Sequence, residues 1–159
     1  MASPSEISAA IKSTFESVAG IGRVHDFERF ATRESELKEL LFDETTQRIF
    51  GWMFFRERSV ELDLDLGAVR VQTTWRARAF MGWDDGDSTG LLFDAHLEAA
   101  VAAFRADPTL GGLVDALKDL DQSGGQIGLQ IERIEPVMYA GMLCHRATCS
   151  LLTETTQPI

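Results

Sequence analysis

The stretch VELDLDLGAVRVQTTWRARAFMGW, residues 60–83, carries the clearest structural pattern in the chain. Apolar and acidic residues alternate strictly over Val60–Leu66, and a second alternation runs over Val69–Trp83. A period of two is typical of β-strands that bury one face. Gly67-Ala68 between the two runs predicts a two-residue turn of type II′, so the stretch is expected to form a β-hairpin.

The turn also predicts which residues face each other across this hairpin. The predicted pairs are Leu66 with Val69, Asp65 with Arg70, and Leu64 with Val71. In that register the apolar faces of the two strands coincide, which supports it. The opposite face then carries an acidic row beside a basic row, formed by Glu61, Asp63 and Asp65 on one strand and by Arg70, Arg76 and Arg78 on the other.

The charged face of the hairpin has two interpretations. It can be an exposed ribbon held by cross-strand ion pairs, each worth roughly 0.2–1 kcal/mol. Alternatively, an adjacent subunit covers it, because arginine makes bidentate contacts to carboxylates at interfaces. Phe80 on the same face favours cover, since it would otherwise be an exposed aromatic side chain. The candidate subunit-interface residues are therefore Glu61, Asp63, Asp65, Arg70, Arg76, Arg78 and Phe80.

The N-terminal segment predicts a capped helix. Ser3 is a candidate N-cap, Pro4 suits the first helical position, and Glu6 completes a capping box. Gly20 and Gly22 are expected to end the helix. Its apolar stripe consists of Ile7, Ile11, Phe15 and Val18. We further expect a strand over 23–30, a short helix or an ordered loop over 32–42, and a strand over 49–56.

The second half of the chain predicts one more main helix and two strands. An acidic loop over 84–90 precedes a helix over 91–105, with Ser88 or Thr89 as its cap. Strands are expected over 128–135 and 139–153, separated around Pro136, and residues 113–120 fit either a helix or a loop. The order of elements predicts an α+β fold, a largely antiparallel sheet packed against two main helices, in a single domain over 1–159.

Composition limits the classes of function. The chain has 15 basic against 25 acidic residues, a net charge of −10, which argues against a general nucleic-acid or anionic-membrane binder. No apolar run reaches the ~18 residues that a membrane span needs. The first residues lack the pattern of a secretory signal, and two cysteines do not make a disulfide scaffold. Together these features predict a soluble protein of a reducing cytoplasm.

Neither a catalytic nor a metal-binding motif emerges from the sequence. Cys144-His145-x3-Cys149 brings together three possible metal ligands, yet the odd separation places the two cysteines on opposite faces of a strand. The loop that begins at Asp84 lacks the glutamate of a calcium loop, because Ala95 stands at its twelfth position. The three histidines are expected to be partly exposed strand or helix residues. We expect no enzymatic activity, no cofactor and no metal.

In its layout the chain resembles the tail terminator (tail completion) proteins of long-tailed bacteriophages. The resemblance is carried by the strand Val69–Trp83, the helix Leu91–Arg105, the segment DPTLGG at 107–112 and the terminal strand Met142–Glu154. It implies a virion protein without catalytic residues, assembled in the host cytoplasm and located in the tail or neck. Such proteins form a ring, commonly a hexamer, that caps the tail tube and meets a head-side connector or neck protein.

The physical features of the chain are compatible with that role. A ring needs a head-to-tail contact between two different, complementary patches on each subunit. Unlike charges on neighbouring strands supply such patches. The excess of acidic residues suits a lumen through which phage DNA passes without specific binding. No membrane partner is expected.

Two alternatives remain open at the level of sequence. One is another neck or tail component, such as a head-completion protein or a tube subunit. The other is a small-ligand-binding α+β domain, in which a curved sheet closed by helices encloses an apolar pocket. Trp52, Phe54, Trp75 and Trp83 would line that pocket, although aromatics at alternating strand positions are commonly part of the core.

Overall fold

The computed structural model describes residues 2–29, 33–65, 67–115, 117 and 127–159, with the backbone alone at 63–65. Within these residues the chain forms three helices and six strands. The helices are α1 (Pro4–Glu16), α2 (Glu34–Leu41) and α3 (Thr89–Ala106). The strands are β1 (Arg23–His25), β2 (Phe42–Asp43), β3 (Arg48–Asp65), β4 (Ala68–Gly82), β5 (Leu129–Tyr139) and β6 (Met142–Pro158).

The strands form one mixed sheet in the order β1-β3-β4-β6-β5, with the short β2 paired to β3 off this path. Only β1 and β3 run parallel among the described strand pairs, and the others are antiparallel. The predicted α+β fold with a largely antiparallel sheet is confirmed. The connection from β4 to β6 passes through α3 and β5, so the sheet is built from two hairpins joined side by side.

Several strands are longer than the sequence pattern indicates. The segments predicted over 49–56 and 60–66 belong to the single strand β3, which ends at Asp65 in the described part. Strand β5 continues through Pro136 to Tyr139, so the predicted break at Pro136 is wrong. Proline is tolerated there because β5 is an edge strand of the sheet. The turn comes instead at Ala140-Gly141, where both residues have positive φ.

One face of the sheet, here called the first face, holds the main core under α1 and α3. The predicted capping box of α1 is present, and the stripe side chains Ile7, Ile11 and Phe15 are buried. Helix α1 ends at Glu16, earlier than the glycines that were expected to end it. Along β4 the predicted apolar face is buried from Thr73 to Met81. The core also contains Phe93, Leu97, Ala100 and Phe104 of α3, as the helical spacing predicts.

Gly22 fixes how β1 enters the sheet. Its φ is +83°, and a Cβ atom at this position would lie 2.4 Å from the carbonyl oxygen of Phe50. Only glycine combines this backbone conformation with so close an approach. The chain can therefore turn directly from α1 into β1 beside β3. The strand itself spans only Arg23–His25, shorter than the predicted 23–30.

The second face of the sheet carries a smaller apolar cluster under α2. Leu41 of α2 is fully buried, and Leu37 and Leu40 are half-buried, so the helical interpretation of this segment is confirmed. The cluster consists of Leu41, Ile49, Met53, Phe80 and Cys144. Of the ambiguous segment 113–120, Val114 and Leu117 join the core of the first face, whereas residues 116 and 118–120 lie outside the described residues.

Candidate functional site

The register of the β3–β4 hairpin differs from the predicted one. Asp65 pairs with Ala68, not with Arg70, and Arg70 lies opposite Leu62. Two causes add up. First, the pair nearest the turn is Asp65 with Ala68, whereas the predicted turn places Leu66 opposite Val69. Second, an irregularity between Asp63 and Asp65 adds one unpaired residue to β3. The total shift is odd, and an odd shift moves side chains to the other face of the strand.

Glu61 therefore does not share a face with the basic row as predicted. Glu61 pairs with Val71 and lies on the first face, whereas Arg70, Arg76 and Arg78 lie on the second face. The side chains of Asp63 and Asp65 lie outside the described residues. The predicted direct pairing of Asp65 with Arg70 is therefore wrong, and the predicted ion pairs of Asp63 and Asp65 stay predictions.

The three arginines find carboxylates elsewhere in the same chain. Arg70 Nε lies 3.5 Å from the buried carboxylate of Glu154 on β6. Arg78 Nη1 pairs with Glu28 at 2.7 Å. Arg76 pairs with Glu57 at 2.8 Å and also with Glu132, and the hydrogen bonds to Glu57 are the main cause that raises its pKa.

These ion pairs hold the arginine side chains flat across neighbouring strands. Glu57 belongs to β3, on one side of β4, and Glu132 belongs to β5, on the other side beyond β6. Arg76 on β4 therefore connects carboxylates from strands on both sides of its own strand. Such partly exposed networks contribute little energy per pair, but they fix side-chain orientation. Of the basic candidates, Arg78 borders a groove on the second face.

Phe80 is covered by its own chain. The side chain is 8% exposed and belongs to the cluster under α2. Its ring centroid lies 4.8 Å from that of Tyr139 on β5, and the Tyr139 hydroxyl donates a hydrogen bond to the carbonyl of Leu37 in α2. Phe80 therefore does not require cover by an adjacent subunit, because the second face carries a helix that the hairpin pattern alone does not reveal.

A groove of about 230 Å³ opens beside Phe80 on the second face. Its apolar wall comes from Met53, Phe55, Phe80, Val137 and Tyr139. Arg29, Arg78 and Arg146 border it, together with Glu28. The guanidinium carbon of Arg78 lies 5.5 Å from the centre of the Phe55 ring, a cation–π distance. The result is a groove with an apolar wall and an arginine-rich rim in an otherwise acidic chain.

Two of these arginines have unused hydrogen-bonding capacity. Arg146 Nη2 donates to Glu135, which lowers the pKa of that carboxyl, but Arg146 Nε is buried and has no partner in the part of the chain that the structure describes. Arg29 lies over the ring of Phe27 at 5.6 Å and forms no ion pair within the described residues. Because Arg146 Nε is buried, Arg29 is the arginine of the rim that can donate to a carboxylate from outside.

A second surface lies at the end of the sheet where β4 ends and β5 turns into β6. Its apolar side chains are between 39% and 75% exposed, and they are Trp83, Leu91, Leu92, Met138, Met142 and Leu143. Two backbone contacts link three of these residues. The backbone N–H of Trp83 donates to the carbonyl oxygen of Leu143, and Met138 pairs with Leu143 across the β5–β6 hairpin. We call this surface the apolar end.

Trp83 and its neighbours give the apolar end a fixed shape. The Trp83 ring stacks on His145 with centroids 3.9 Å apart, and its Nε1 donates to Asp85. Thr89, at the start of α3, bonds His145 Nε2 at 2.8 Å and also closes the acidic loop onto Asp84. The side chain of Ser88, the residue before α3, makes no capping hydrogen bond. Of the two expected caps, Thr89 is the one whose side chain binds the preceding loop, through the backbone N–H of Asp84.

A cleft of about 400 Å³ adjoins this end. Trp83 and Met142 form its apolar side, and Lys38, Arg48 and Asp87 form its polar side. Arg48 is already paired with Asp87 at 2.8 Å. Asp84 also lines the cleft, so its two basic and two acidic side chains balance in charge. Because the cleft is open and lies beside Trp83 and Met142, we regard it as part of the apolar end.

The small-ligand alternative loses the pocket on which it depended. Trp52 and Phe54 are fully buried, and Trp75 donates its Nε1–H to Thr153 inside the core. These rings pack against Phe15 and against one another, which leaves Trp83 as the exposed member of the predicted pocket lining. Trp52, Phe54 and Trp75 are therefore core residues and do not line a ligand pocket.

Two of the three histidines and both cysteines are buried, whereas His96 on α3 is half-buried, as expected. His25 and His145 are buried, not partly exposed as expected, and burial is the main cause that lowers the pKa of both. Cys144 and Cys149 lie in different clusters on opposite faces, as predicted, and burial raises their pKa to about 11 and about 12. Among the described residues, no group of three His, Cys, Asp or Glu side chains is placed to hold a metal ion.

The interaction residues that the sequence did not reveal are those at the turn and in the groove. Met138, Met142 and Leu143 flank the turn at Ala140-Gly141. The sequence did not indicate this turn, because Pro136 predicted that the strand breaks there instead.

None of the helices that the structure describes is long and apolar enough to cross a membrane. No protein-family model matches the sequence, and the curated proteins give no match either, so the role of these surfaces has to be inferred from their geometry.

Proposed function

We propose that this chain is a structural assembly protein of the tail terminator type. Copies of it close into a ring, commonly a hexamer in that family, which caps a phage tail tube and joins it to a head-side neck protein. The ring would end tube polymerisation, and its acidic subunits suit a lumen through which DNA passes without sticking. The proposal places the protein in the tail or neck region of a virion.

The observation that carries this proposal is the apolar end. Six large apolar side chains at one end of the sheet, each at least 39% exposed, form a surface that favours cover by another protein. The acidic loop with Asp84, Asp85 and Asp87 adjoins it, which resembles the polar rim of a protein interface. A surface at the end of a sheet, and not in a cleft, fits end-on stacking against a neighbouring ring.

The first experiment measures the mass of the purified protein by native mass spectrometry and images it by electron microscopy. We expect closed rings of one size that do not stack into cylinders. Long cylinders would instead indicate a tube subunit. A protein that is monomeric at all concentrations and ignores tube ends would contradict the proposal.

The second experiment tests the apolar end on tail tubes purified from the same source. Leu91→Lys places a charge on the most exposed leucine of the surface, and we expect it to lower tube capping about tenfold or more while ring mass is unchanged. Ala102→Lys, on an exposed part of α3 three turns further along, is the matched control and should cap normally. Equal capping by both variants would remove the apolar end from the tube contact.

A further inference from the structure

We propose that the groove binds the acidic tip of β3, residues 61–65, from a second copy of this chain. The inference rests on the proposed ring function and names the contact that would close the ring. It commits to one occupant because the chemistry of the groove and the chemistry of the tip are complementary.

The groove selects for an occupant that is both apolar and anionic. Its wall of Met53, Phe55 and Phe80 offers an apolar surface. At its rim, Arg29 forms no ion pair within the described part of the chain, so its guanidinium group can donate to a carboxylate. A carboxylate beside an aliphatic side chain would satisfy both the wall and the rim.

The tip of β3 has this composition. Its sequence is ELDLD, three carboxylates alternating with two leucines, and the sequence continues with Leu66. Glu61 is exposed, and Leu62 is half-buried. Beyond Met53, where the pairing with β1 ends, β3 has no further partner on its outer side among the described strands. The outer edge of β3 at Glu61 and Leu62 is therefore accessible from outside.

A chain cannot place its own tip in its own groove. Phe55 in the groove and Glu61 in the tip lie on the same strand, six residues or about 20 Å apart. The paired strand keeps them apart, so the tip must enter the groove of another copy. Two unlike surfaces on one subunit make a head-to-tail contact, and such contacts generate rings when the rotation between subunits closes.

A charge-swap experiment tests the contact. Glu61→Arg reverses the tip and Arg29→Glu reverses the rim of the groove, while neither residue belongs to a described ion pair. Each variant alone should raise the concentration at which half of the protein is assembled about tenfold or more. Circular dichroism and thermal melting check that both variants fold as the unmodified chain does.

The decisive samples restore opposite charges. In a one-to-one mixture of the two variants every tip can meet a groove of opposite charge if the subunits alternate, so rings should reappear. The double variant Glu61→Arg/Arg29→Glu should assemble by itself. Glu98→Arg, an exposed charge reversal on α3, is the control and should assemble normally.

The outcomes separate this inference from the proposed function. Normal rings from both single variants would overturn the groove contact and leave the terminator proposal standing. Rings of Arg29→Glu that no longer cap tubes would assign the groove to a neighbouring tail protein, which also overturns the inference. A wild-type chain that never forms rings would overturn both.

Discussion

Leu62 of β3 lies directly opposite Arg70 of β4, so Glu61 projects from the face of the ribbon that Arg70 does not use. This pairing decides where the charges of the hairpin go. The described ion pairs of the arginines reach carboxylates from β3, β5, β6 and the segment after β1, so they connect the hairpin to the neighbouring parts of the sheet.

The first prediction concerns this distribution of charge. A double-mutant cycle with Arg76→Met and Glu57→Gln should give a coupling free energy of about 0.5–1 kcal/mol, because their guanidinium and carboxylate groups are in contact. The cycle with Arg70→Met and Glu61→Gln should give less than about 0.3 kcal/mol, because these side chains lie on opposite faces. Urea unfolding of dilute protein measures both, and a larger coupling for the second pair would contradict the placement of Glu61 and Arg70 on opposite faces.

The second prediction compares two glycines with similar backbone conformations. Gly22 and Gly111 have φ of +83° and +70°, but a Cβ at Gly22 would meet the carbonyl oxygen of Phe50 whereas one at Gly111 meets nothing within 4 Å. Gly111→Ala should therefore cost only the strain of positive φ, about 1 kcal/mol. Gly22→Ala should cost about 3 kcal/mol or more, since the entry of β1 must also shift. Equal losses in chemical denaturation would mean that the close approach to Phe50 can relax cheaply.

Much of the fold could be predicted because its signals are local. The capping box at Ser3 and Glu6, the apolar spacing of α3 and the period-two pattern of β4 each fix one element without knowledge of the rest. Pro136 misled because proline ends most strands, and only the sheet order shows that its strand is at an edge. Edge position is a property of the assembled sheet.

The candidate site was less predictable for the same reason. A single irregularity between Asp63 and Asp65 leaves no mark in the alternating sequence, yet with the altered turn it moves Glu61 to the face opposite that of Arg70. Phe80 was expected to be covered by an adjacent subunit because nothing in the hairpin indicates that α2 crosses the second face. Arg29 and Arg146 are far apart in sequence, and the fold alone brings both to one groove.

The third prediction concerns the two free thiols. Burial raises the pKa of Cys144 to about 11 and that of Cys149 to about 12, so little thiolate forms at pH 8. Native protein should react with a thiol reagent at least about a hundredfold more slowly than protein in strong denaturant. Single Cys→Ala variants assign the rates. Rapid labelling of native Cys149 would show that the core of the first face opens often, which would contradict its burial between the sheet and the helices.

The last prediction is that protonation of His145 destabilises the protein as the pH falls. Burial between Trp83 and Phe93 is the main cause that lowers its pKa, and the charges of Asp94 and Asp85 oppose that shift without cancelling it. In the unfolded chain the imidazole returns to its ordinary pKa, so over roughly pH 5 to 7 the unfolded state binds more protons than the folded state. The contribution of His145 to stability is thus present above its unfolded pKa and is lost as the pH falls toward its folded pKa.

The variant His145→Gln retains a group able to bond Thr89. Between pH 7 and pH 5 it should lose less unfolding free energy than the unmodified protein does. Its stability at pH 7 should be lower, because the stacking on Trp83 is gone. Urea titrations at several pH values measure the two slopes, and parallel slopes would mean that the imidazole keeps its ordinary pKa beside Trp83.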